Sequence, residues 1–224
     1  MENNGRGMIS PNYATQDYIN LNLNMNSGEE TWESAIRMLE ERFDERFFTT
    51  IHFLLCDSNR CYSKEKAEKN GFAIMALNCL LIDTFYQFEY GMKDSMQPNS
   101  VTDQGGNANH YVGFLNSKFP NLFSSDVGGN KSLAEWFYKH IRCGILHSAQ
   151  TYGSSMLSCE GGQTISYINK DTQNEGIRVE VRKISNEFEY YFKQDYVRRL
   201  RCGDQTTREN FIAKMQYVCN LSPQ

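Results

Sequence analysis

Between Trp136 and Gln150 the chain reads WFYKHIRCGILHSAQ, with Arg142 and His147 five residues apart. The apolar residues around them recur at helical spacing, so the segment belongs to a half-buried helix. Arginine is almost never fully buried without a partner, and His147 cannot share the same apolar stripe, so both side chains must face something polar. Five positions turn a 3.6-residue helix by about 140°, which makes the two side chains flank a groove rather than stack. A planar guanidinium suits phosphate oxygens, and an imidazole with an ordinary pKa of about 6.5 suits proton transfer at neutral pH.

The Arg-x4-His element resembles the signature of HEPN ribonucleases (higher eukaryotes and prokaryotes nucleotide-binding domain), written Arg-x4-6-His. The resemblance spans roughly Thr31 to Val218. It rests on context as well as spacing: two long helical patterns upstream, the motif in a later helix, and more helix after it. It implies a mainly α, HEPN-like helical bundle. It also implies a metal-independent endoribonuclease, in which the RNA 2′-hydroxyl attacks the scissile phosphate and leaves 2′,3′-cyclic phosphate and 5′-hydroxyl ends. Arg142 and His147 are then the catalytic pair, Arg142 holding phosphate oxygens and His147 moving the proton, with no cofactor and no metal. The partners implied are RNA, a second copy of the chain joined through the motif helix, and an antitoxin or sensor protein. A role in phage defence or as a toxin follows from the same analogy. In the family the residue after the arginine is often Asn, Asp or His. Cys143 departs from that, which favours the alternative of a non-catalytic HEPN module that binds RNA, a nucleotide or a partner protein.

Auxiliary residues are sought on the neighbouring helix. Asp83 interrupts the run Leu80-Leu81-Ile82 and Glu89 closes the same segment. Either carboxylate could pair with Arg142, and Asp83 could instead orient His147, because a buried carboxylate needs a partner. His140 lies seven residues before His147 on nearly the same face, which raises a two-histidine metal site. Seven positions are about 10 Å along the axis, a poor ligand spacing within one helix.

Length and composition narrow the classes. A chain of 224 residues with 40% hydrophobic and 13% aromatic residues should fold as one packed domain. The net charge of −4 argues against coating nucleic acid by bulk electrostatics. A local basic surface is still open to Arg198, Arg199 and Arg201, with Arg178, Arg182 and Lys183 nearby, and these are the candidate RNA contacts. The acidic pI, near 5.6, favours a third reading, a helical bundle without a pocket. Seven cysteines without a Cys-x-x-Cys pair suggest neither disulfides nor zinc and fit a reducing cytoplasm. No signal peptide and no run of 18 apolar residues is present, so no membrane segment is expected.

The positioning elements follow from periodicity. Trp32, Ala35, Ile36, Leu39, Phe43, Phe47, Ile51 and Leu54 form one stripe of a long first helix, with Ser27 or Thr31 as its cap. A second, strongly apolar helix spans Lys64 to Tyr90 and ends at Gly91. Residues 92–109 read as a long loop, Tyr111 to Phe123 as a short helical piece, and Leu133 to about Thr151 as the motif helix capped by Ser132. Phe137, Ile141, Ile145 and Leu146 offer an apolar seam for a two-fold partner. Alternating runs at 164–168 and 177–181 predict a small β-hairpin inserted at about residues 160–182. Helices Ser185–Arg201 and Thr207–Val218 close a single domain of residues 29–224. Residues 1–28, rich in Asn and Gly, read as a flexible leader or a partner-binding arm.

Overall fold

A computed structural model describes residues 7–94, 106–123, 132–169 and 172–221, and it is mostly helical with two small sheets. The first long helix is α2 (Glu29–Phe43), which passes through a π-helical turn (Asp44–Phe48) into α3 (Thr49–Leu55). Its expected stripe is buried from Trp32 to Ile51. It starts two residues earlier than expected, on Gly28, and no side chain caps it.

The central helix α4 (Lys64–Glu89) is capped by Ser63, whose hydroxyl accepts from the Lys66 N–H at 3.3 Å. By length and composition it could cross a membrane, yet 61% of its apolar window is buried inside the fold, as in a core helix. Phe43 of α2 stacks on Phe192 at 4.3 Å and Phe85 at 5.6 Å, and meets Phe88 edge-on. Burying one such phenyl ring contributes roughly 1.5–3 kcal/mol, and the ring geometry adds about 1 kcal/mol per pair. Phe192 lies in a π-helical turn (Tyr191–Tyr196) that links α9 (Val181–Tyr190) to α10 (Val197–Arg201), and α11 (Gln205–Val218) packs against the C-terminal end of α4.

Beyond α4, α5 (Asn107–Lys118) and α6 (Pro120–Phe123) precede the motif helix. The central part of the expected loop, 95–105, lies outside the described residues.

The leader expectation requires correction for residues 7–28. Strands β1 (Met8–Ser10) and β2 (Tyr13–Ala14) form a small hairpin followed by α1 (Thr15–Asn20). Ile9 and Tyr18 are buried, and Arg42 of α2 donates to the Ile9 carbonyl at 2.9 Å. Two isolated apolar anchors and backbone hydrogen bonds hold this segment, which explains why no periodic pattern announces it.

The inserted sheet is larger than a hairpin. Strands β4 (Ile165–Ile168) and β5 (Gly176–Glu180) pair antiparallel with Ile165 opposite Val179, near the expected bounds. A third strand, β3 (Met156–Ser158), joins β5 in parallel, giving the order β3-β5-β4. Ile177 and Val179 of β5 point into the core.

Candidate functional site

The motif helix is built in three parts: α7 (Leu133–Trp136), a π-helical turn (Phe137–Arg142) and α8 (Cys143–Ser148). Ser132 opens it with a capping box, accepting from the Glu135 N–H at 3.2 Å while Glu135 accepts from the Ser132 N–H at 2.6 Å. A π-helical turn adds a residue to the helical register, and here it ends on Arg142.

Arg142 faces α4. Its Nη2 donates to Asp83 Oδ2 at 3.3 Å, and the two side chains are only 15% and 10% exposed. Burial opposes the guanidinium charge, but Asp83 outweighs it and holds Arg142 above its ordinary pKa. One turn earlier, Tyr138 places its ring 5.5 Å beneath the guanidinium. Arg142 Nε is enclosed and has no acceptor among the described residues. Burial pushes the Cys79 thiol up to about 12 and the Tyr111 hydroxyl well above 10, so both neighbours stay neutral. Neither adds a negative charge beside the Arg142–Asp83 pair.

His147 sits in the last turn of α8, exposed and without a hydrogen bond among the described residues. Arg142 points into the fold and His147 away from it, as their angular separation requires. The helix ends at Ala149, which takes a left-handed conformation at φ 52°. Gly144 allows that ending, because a Cβ there would lie 2.4 Å from the Gln150 carbonyl oxygen.

His140 is held by the chain beyond the helix. Its Nδ1 donates to the Tyr152 carbonyl at 2.8 Å and lies 3.1 Å from Ser155 Oγ, while its ring packs edge-on against Trp136. Ser155 Oγ in turn accepts from the Ile177 N–H of β5 at 3.1 Å. His140 thus ties the motif helix to the sheet, and among the described residues no group of three or more His, Cys, Asp or Glu side chains gathers as a metal site.

Other expected residues fall elsewhere. Glu89 does not reach Arg142: it accepts from Arg199 at 2.7 Å and Tyr191 at 2.8 Å and pairs with Lys118. Arg199 is thereby committed inside the fold, and Arg201 binds Glu33 and Glu40 in a four-bond cluster. Arg178 and Lys183 donate to the carbonyls of Gly161 and Gly162. Arg198 stays exposed, and Arg182 is also exposed but lies about 24 Å away along the same continuous helix. The structure does not bring these arginines into one basic surface.

The apolar seam also changes. Phe137, Ile141 and Ile145 are buried in the chain's own core, and only Leu146 of that set is exposed, at 40%. Leu80, one turn before Asp83 on α4, is 52% exposed, and Phe72 and Met156 are exposed as well. Tyr138 is a neighbour of the guanidinium that the sequence pattern does not single out, although its position one turn before Arg142 is a signal for it. Each of the seven thiols is free. The chain matches no protein-family model, no curated protein and no solved structure.

Proposed function

We propose that the chain is an endoribonuclease of HEPN type that cleaves RNA without a metal, with Arg142 and His147 as its catalytic pair. The observation that carries this is one arrangement: Arg142 is fixed and kept charged by Asp83 of the central helix, five residues from an exposed and uncommitted His147. In this reading His147 takes the proton of the 2′-hydroxyl, O2′ bonds to phosphorus as the P–O5′ bond breaks, and the imidazolium so formed returns the proton to O5′. The guanidinium, with donors left over after Asp83, meets the negative charge that the phosphate gains.

The two side chains diverge within one chain, which supports a site completed by a second copy. Leu146 and Leu80, exposed beside the motif, are the residues we assign to that contact. Incubation with a mixed RNA pool tests the reading: cleavage is expected with the unsubstituted chain and not with His147→Ala, while RNA binding is retained. A second reading, a module that binds RNA or a partner without cutting, is favoured by the depth of Arg142. Binding with no cleavage by a folded dimer would select it.

A further inference from the structure

A cleft of about 980 Å³ opens between the end of α3, the following loop and the start of α9, and His52, Phe53, Asp57, Arg60, Tyr62 and Arg182 line it. Lys66 of α4 also lines it. Lys66 and Asp83 are about 25 Å apart along α4, so the cleft is separate from Arg142.

Two rings in the cleft each carry a cation. Tyr62 donates its hydroxyl to the Cys159 carbonyl at 2.9 Å and carries the Arg182 guanidinium 4.5 Å from its ring centre. Phe53 carries the Lys66 ammonium 4.6 Å from its centre. That ammonium is itself held by the carbonyls of Cys56 at 2.8 Å and Phe53 at 3.0 Å. Phe53 is nevertheless 72% exposed, so its phenyl ring is offered to solvent rather than to the core.

Cations dominate the walls. Arg60 and Arg182 are exposed and make no ion pair among the described residues. Asp57 is the acid in the lining, and its Oδ1 already accepts from the N–H groups of Asn59 at 2.9 Å and Cys61 at 3.0 Å. At the rim, His52 and Lys193 both contact Glu189 at 2.7 Å, which occupies that carboxylate.

We propose that this cleft binds a nucleotide, its base stacked on Phe53 and its phosphate held between Arg60 and Arg182. An exposed aromatic face beside cations that make no ion pair is the chemistry that single-stranded nucleic acids and nucleotides use, because every base has a π-face. The inference needs only this cleft and stands whether or not His147 cleaves RNA.

The test is fluorescence anisotropy with a labelled 2′-O-methyl hexa-adenylate, whose blocked 2′-oxygens prevent self-attack, beside calorimetry with AMP and with inorganic phosphate. Arg60→Ala and Arg182→Ala should each weaken hexamer binding and flatten its salt dependence, by about 0.7 in the logarithmic slope for each phosphate no longer neutralised. Phe53→Ala should weaken binding about five- to a hundredfold and leave that slope unchanged. All three side chains are exposed, so the urea midpoint should hold and any weakening reads as an effect on binding. Binding of AMP as tight as that of the hexamer assigns the cleft to a free nucleotide, and a tighter hexamer assigns it to a strand. Both outcomes keep the proposal. Phosphate binding as tightly as AMP, Phe53→Ala without effect, or no binding of either nucleotide ligand overturns it.

Discussion

At the scale of single residues, stability depends on which charges are paired. Arg142 and Asp83 are enclosed together, so removing Asp83 takes from the Arg142 guanidinium the carboxylate that faces it, and removing Arg142 takes one ion-pair partner from Asp83. Arg142→Ala is expected to cost about 3–5 kcal/mol of stability. Adding Asp83→Asn to it should restore part of the loss in urea melts; strict additivity of the two single changes would mean that the pair is not coupled. Glu89 supports a pH prediction of the opposite origin. Burial raises its pKa, but Arg199 and Lys118 outweigh that and leave it below the ordinary glutamate value. A carboxylate with a lowered folded pKa stabilises in full above the unfolded value and loses that contribution as pH falls through the folded one. Stability of the unsubstituted chain should therefore fall more steeply below about pH 4.3 than that of Glu89→Gln. Equal slopes in acid would contradict the assignment.

At the scale of elements, the helices were readable because each buries a 3.6-period stripe, as α2 and α4 do. Strands β4 and β5 were readable from alternation. The three-residue β3 and the two-residue β2 are too short to show a period, and β3 is defined by its pairing with β5. The N-terminal hairpin escaped for a related reason, since Ile9 is the one buried apolar residue in its two strands. The π-helical turns leave no compositional signal at all. In the site, the sequence offers Asp83 or Glu89 as a partner for Arg142, or Asp83 as one for His147, and the structure pairs Asp83 with Arg142. The sequence could not separate Asp83 from Glu89, because the choice depends on which helices flank each turn of α4. The end of the motif helix gives a further prediction. Ala149 occupies a left-handed conformation that glycine adopts without strain, so Ala149→Gly should stabilise by about 1 kcal/mol. Gly144→Ala should destabilise, because its Cβ would collide with the Gln150 carbonyl. Thermal melts of both variants check the two signs.

At the scale of the whole molecule, the buried face of the motif helix is consumed by its own core, so only its outer edge is left for a partner. The exposed Leu146 and Leu80 define that edge. Leu146→Asp is expected to shift sedimentation from dimer to monomer and to abolish RNA cleavage together, with the urea midpoint within about 0.5 kcal/mol of the unsubstituted chain. A fully active monomer would remove the composite site. The most direct measurement of the central claim is end-group analysis of RNA incubated with the purified chain in EDTA, beside His147→Ala. Fragments with 2′,3′-cyclic phosphate and 5′-hydroxyl ends are expected, and these should be absent with the variant. Fragments with 5′-phosphate ends, cleavage abolished by EDTA, or equal cleavage by His147→Ala would contradict the claim.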